Sequence, residues 1–70
     1  MITIENIRMR LQESIRLSGY SQSDIAQKLG ISPSNISHYL RGDILPALDT
    51  LANICKIIDV SPAYILCFED

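Results

Sequence analysis

The short segment Gly30-Ile31-Ser32 constrains this chain more than any other. It separates two stretches with helical apolar spacing: Ile25, Ala26 and Leu29 before it, Ile36 and Leu40 after it. Each stretch carries its own boundary signals. Ser21 followed three residues later by Asp24 reads as a short-armed capping box, with Tyr20 and Ile25 at hydrophobic-staple spacing. A helix therefore starts at Gln22 and stops at Gly30, which tolerates the left-handed backbone past a helix end. Ser32-Pro33 restarts a helix at once, because serine caps well and proline is favoured at the first helical position. Gly42 ends that helix. A glycine-containing link this short forces two helices to cross steeply, the geometry of a helix-turn-helix spanning about residues 21–42.

The remaining residues read as helices packed around that pair. Ile4, Ile7, Leu11 and Ile15 form one stripe on a first helix, which Gly19 breaks. After a loop from Asp43 to Pro46, Leu48, Leu51, Ala52, Cys55 and Ile58 give a fourth amphipathic helix. Ala47 sits where a capping side chain belongs, and Asp59 is expected in the left-handed turn that ends the helix. Ser61-Pro62 repeats the cap-plus-proline signal and opens a short fifth helix with Ile65 and Leu66. No run alternates with period two, so no strand is expected. The fold class is all-α, with five short helices in a single domain over residues 1–70.

Composition narrows the function classes. A chain of 70 residues with 47% apolar types is too hydrophobic for disorder and too short for two domains. It has no signal-peptide or membrane-spanning apolar run. Cys55 and Cys67 are too few for a stapled scaffold and too far apart for a C-x-x-C motif, which reads as a cytoplasmic chain with reduced thiols. Cys55 falls on an apolar stripe and reads as a small buried residue. A core this small often relies on a partner subunit. The net charge of −2 hides an asymmetry. Residues 1–42 carry Arg8, Arg10, Arg16, Lys28 and Arg41 against three acids, whereas residues 43–70 carry Lys56 against five. The positive part of such a chain can still meet a polyanion. No catalytic constellation, phosphate loop or metal-ligand spacing is legible around the single histidine, His38. No enzyme activity, cofactor, metal or membrane association is expected.

The run from Gln22 through Ile25-Ala26, Leu29-Gly30-Ile31-Ser32, Ile36 and Gly42, and on through Pro46, Leu48, Leu51, Ile54, Ile58 and Val60-Ser61, resembles the phage-repressor/Cro-type (Xre-like) helix-turn-helix domains. The resemblance covers about residues 4–66. It implies binding to double-stranded DNA, usually as a dimer, to regulate transcription, with the third helix in the major groove and the second crossing the backbone. Carried over by position, Gln22 would meet a phosphate or a base, and Asn35 a phosphate. Ser32, Pro33, Ser34, Ser37 and His38 would face the groove, with Ser34 and His38 the best base readers. Arg41 and Lys28 are the nearest cations. Where the family often carries long-armed Gln or Arg, this chain has Pro33, Ser34 and His38, so recognition is expected to lean on DNA shape.

The family commonly pairs an arginine late in helix one with a glutamate near the end of helix three. Those positions here hold Ile15 and Leu40, an expected exchange of an ion pair for an apolar contact. Tyr64, Ile65, Cys67 and Phe68 are expected at a homodimer interface built around helix five and the loop before helix four. With no ligand-sensing domain or cleavage linker expected, no small-molecule effector is either. Regulation would then follow the chain's own concentration and dimer equilibrium. The acidic second half and the thin basic face keep a second class open, an antitoxin-like or anti-repressor protein-interaction module using the same fold.

Overall fold

A computed structural model describes all residues, Met1–Asp70. It consists of five α-helices and no strand: α1 (Ile4–Leu17), α2 (Gln22–Leu29), α3 (Pro33–Arg41), α4 (Leu48–Ile58) and α5 (Pro62–Ile65). No helix is long and apolar enough to cross a membrane.

Local chemistry accounts for the boundaries. Ser21 accepts a hydrogen bond from the Asp24 amide at 3.0 Å, and the Asp24 carboxylate accepts one from the Ser21 amide at 3.4 Å, a closed capping box. Ser32 caps α3 by accepting from the Ser34 amide, and Ser61 caps α5 by accepting from the Tyr64 amide. Thr3 caps α1 by accepting from the Asn6 amide at 3.3 Å. Only α4 starts without a side-chain cap, at Ala47. Two glycines end the central helices in the left-handed region, Gly30 at φ 73° and Gly42 at φ 80°. In both, the residue after the glycine reaches back: Ile31 N–H donates to Ala26 C=O at 3.0 Å and Asp43 N–H to His38 C=O at 3.1 Å. Asp59 takes the same turn after α4 at φ 58°, and Cys67 after α5 at φ 66°.

Every helix contributes to one core. Leu11 and Ile15 come from α1, Ile25 and Ala26 from α2, Ile36 and Tyr39 from α3, Ile54 and Cys55 from α4, and Ile65 from α5. α2 packs on α3 and α4, and α1 packs on α3 and α5. The small methyl side chain of Ala26, fully buried, lets α2 lie close to its neighbours. Ile15 is buried and Leu40 packs against the same cluster, so no charge sits at that pair of positions. Arg16, next along α1, instead donates to the Leu40 carbonyl at 3.2 Å and ties the ends of α1 and α3 together. Burial pushes the Cys55 thiol pKa up, which keeps it protonated and inert in the core.

Four assignments need correction. Ile4 lies at the exposed end of the α1 stripe. Leu48 is 85% exposed and Ala52 is also exposed, while Ile54 fills the core position of α4. Leu48 is the first residue of α4 and lies at the edge of its broad apolar stripe, so spacing alone does not show that it stays exposed. Tyr39, not Leu40, is the residue of the last α3 turn that lies fully in the core. Ile65, expected at an interface, has no exposed surface: it is the contribution of α5 to its own domain's core.

Candidate nucleic-acid interface

The outer face of α3 is built by helical periodicity. With Ile36 and Tyr39 turned inward, Ser34, His38 and Arg41 fall at successive turns of the opposite side. Ser34 and Arg41 are exposed and His38 is half-exposed. Pro33 is exposed at the start of the helix, and Asn35 and Ser37 are half-buried on its flanks.

One hydrogen bond joins the two central helices at this surface. The Ser37 hydroxyl donates to the Gln22 side-chain oxygen at 2.6 Å. That bond occupies the acceptor end of the Gln22 amide and leaves its NH2 group, a pure donor, facing outward. Gln22 also opens α2, where the backbone N–H groups of Gln22 and Ser23 have no acceptor in the protein. A free pair of amide protons, the positive end of a helix and a held side-chain donor together suit an anionic oxygen. The start of α3 differs. Pro33 has no N–H, Ser34 N–H donates to Ser32 Oγ, and Asn35 N–H donates to Ser32 C=O. The Ser32 and Ser34 hydroxyls also bond each other at 2.9 Å. Free backbone N–H groups are therefore found at the start of α2, whereas the start of α3 offers hydroxyls.

At the far end of α3 a second cluster forms, which sequence reading missed. Arg41 Nε donates to Asp43 Oδ2 at 3.0 Å, His38 Nδ1 lies 3.1 Å from the same oxygen, and Arg41 Nη2 lies 3.0 Å from His38 Nδ1. The left-handed turn at Gly42 brings Asp43 back over the last turn of its own helix. The guanidinium of Arg41 and the imidazole of His38 hold the Asp43 carboxyl below the usual carboxylate range. The signal was present as an acid directly after the helix-ending glycine, with His38 and Arg41 three residues apart.

Two other arginines are tied to backbone carbonyls. Arg10 donates to the Tyr64 carbonyl at 2.7 Å and the Glu69 carbonyl at 2.6 Å, and its guanidinium lies 4.5 Å from the centre of the Tyr64 ring. Arg16 is bound to Leu40 as described, and the Arg8 stem packs beside Gly42. Lys28, exposed in the last turn of α2, forms no ion pair. Lys28 lies beside the equally unpaired Lys56 in a groove between α2 and α4, and the cation on the outer face of α3 itself is the Asp43-bound Arg41.

The residues expected at a dimer interface lie together in α5 and the turn after it but differ in exposure. Tyr64 is half-buried beneath Arg10, Cys67 is half-buried with its thiol 3.8 Å from the Ile65 carbonyl, and Phe68 is 78% exposed. A separate apolar groove of about 180 Å³ runs between α1 and the start of α4, bordered by Ile4, Leu45, Pro46, Leu48 and Leu66.

Comparison with known proteins agrees with this architecture. The HTH-type transcriptional regulator ImmR of Bacillus subtilis (strain 168) is 39% identical over 57 residues, which cover 81% of this chain and 45% of that protein. The chain thus spans less than half the length of this relative. The helix-turn-helix family matches residues 11–65, from the middle of α1 to the end of α5. With that match over most of its length and the two capped central helices at its centre, this chain belongs to the helix-turn-helix family.

Proposed function

We propose that this chain is a sequence-specific DNA-binding regulator of transcription that works as a homodimer, with α3 in the major groove of an inverted-repeat site. The observation that carries the reading is the Gln22–Ser37 bond at 2.6 Å, which sets a donor at the open end of α2 beside the polar face of α3. A phosphate fits the first and base edges fit the second. Ser34 and His38 read bases; Gln22 and Asn35 hold the backbone, Ser32, Pro33 and Ser37 line the groove, and Lys28 and Arg41 supply charge. The regulatory role has the support of the similar transcriptional regulator.

The dimer has a physical basis in exposed apolar surface. Leu48, Ile44 and Phe68 stand out from the domain, and the groove beside Leu48 begins a few residues after α3 ends. A two-fold contact there would carry both α3 helices on one side, about 34 Å apart for half-sites one turn apart. Selection from random duplexes at low salt tests the function. A symmetric enriched motif is expected. A folded protein that enriches nothing would overturn the reading in favour of a protein-interaction module. Sedimentation equilibrium tests the dimer, which a monomer at high micromolar concentration would refute.

A further inference from the structure

The His38–Arg41–Asp43 cluster contains a contradiction that only one proton can resolve. His38 Nδ1 has both Asp43 Oδ2 at 3.1 Å and Arg41 Nη2 at 3.0 Å within reach. An ionised carboxylate only accepts, and a guanidinium only donates. With a proton on Nδ1, the imidazole donates to Asp43. Without one, Nδ1 accepts from Arg41 and its lone pair faces the carboxylate. The two states place opposite groups at Nε2, the ring nitrogen with no partner in the protein. Neutral imidazole with hydrogen on Nδ1 presents an acceptor there; the other tautomer presents a donor.

We infer that Asp43 determines what His38 reads: it holds the Nδ1–H tautomer, so that Nε2 enters the groove as an acceptor. This rests on α3 being the DNA-reading helix. Arg41 loses little in that state, because it keeps its Nε bond to Asp43 at 3.0 Å while its exposed Nη2 turns to water or a phosphate. Without a proton on Nδ1, by contrast, its lone pair faces the Asp43 carboxylate at 3.1 Å, an acceptor against an acceptor. The low pKa of its carboxyl keeps it an acceptor throughout the neutral range. In the major groove an acceptor matches the exposed amino group of adenine or cytosine, whereas a donor matches N7 of guanine or adenine, guanine O6 or thymine O4, so cytosine against guanine separates the two states. Asp43 thus acts as a positioning residue that touches no base.

The test combines long-range 1H–15N NMR of His38 in the free protein, at about pH 8 where an ordinary imidazole is neutral, with duplex selection for the same variants. Wild type is expected to show hydrogen on Nδ1 and to enrich cytosine over guanine at one position of each half-site. Asp43→Ala leaves Arg41 as the only neighbour, so hydrogen moves to Nε2 and preference at that position changes from cytosine to guanine. Arg41→Ala keeps both the wild-type tautomer and its base preference. A circular dichroism melt unchanged in Asp43→Ala separates this from unfolding. If Asp43→Ala is unfolded, Asp43→Asn, whose side-chain oxygen still accepts, is expected to retain wild-type preference with weaker tautomer bias. Hydrogen on Nε2 in wild type, or a motif that Asp43→Ala reads unchanged, overturns the inference alone. A wild type that enriches no duplex overturns it together with the DNA-binding reading.

Discussion

The two central helices and the start of α4 show opposite ways of using similar residues. α2 and α3 open on serine caps, close on left-handed glycines and turn Ile25 and Ile36 wholly inward. α4 opens on an uncapped alanine directly after a loop, and its first residue, Leu48, is 85% exposed. Each signal in the first region specifies one geometry. In the second, apolar side chains are left facing water, a cost in solubility that a partner surface would remove. The difference separates a part of the molecule built to hold one shape from a part free to meet another chain.

Core substitution breaks the comparison most strongly. Ile36→Ala removes a fully buried side chain at the crossing of α2 and α3 and is expected to cost about 3 kcal/mol in chemical denaturation. Leu48→Ala, with the same loss of apolar volume on the exposed side, is expected to change monomer stability by no more than about 0.5 kcal/mol. Its effect should appear instead as weakened self-association in sedimentation. Equal losses at the two sites would remove the distinction between them.

The glycines give a finer contrast within the first region. At Gly30 an added Cβ meets nothing within 4 Å, so Gly30→Ala costs only the left-handed backbone, about 1 kcal/mol. At Gly42 the same Cβ would lie 3.0 Å from Arg8 Cδ and 3.2 Å from Gln12 Nε2. Gly42→Ala is expected to cost about 2 kcal/mol, because displacement of the Arg8 stem adds to the backbone strain. Thermal melts of the two variants side by side read the difference directly.

Caps give the smallest effects, in opposite directions. Ser21→Ala breaks the capping box and is expected to destabilise by about 1 kcal/mol. Ala47→Ser supplies the side chain that α4 lacks and is expected to stabilise by somewhat under about 1 kcal/mol. Together they turn each region toward the other, and both shifts are measurable as changes in the denaturation midpoint.

Where a structural feature depended on neighbours along the chain, the sequence carried it. The capping box at Ser21 and Asp24, the restart at Ser32-Pro33, the left-handed turns at Gly30 and Asp59, the helix end at Gly42 and the missing cap at Ala47 are all local chemistry, and all are observed. Features set by packing were less legible. On α4 the apolar residues are too many for periodicity to choose between Leu48 and Ile54. Ile65 looked available for a partner only because α5 is too short for its spacing to define a buried side. The polar face of α3 followed from the inward residues. Its charge did not: Asp43 lies outside the helix, and only the turn at Gly42 brings it onto His38 and Arg41. The loss of Arg10 and Arg16 to backbone carbonyls across the fold was likewise invisible in a charge count.

The central claim is that the outer face of α3, with the open end of α2, is the surface that meets DNA. Its most direct test is an NMR titration of the labelled protein with a duplex obtained by selection, following every backbone amide. The account predicts the largest shifts at Gln22 and Ser23 and along Ser34 to Asp43, with Leu48 and Phe68 little changed beyond what dimerisation produces alone. Shifts concentrated on Leu48, Phe68 and the groove beside them, with α3 unmoved, would contradict it.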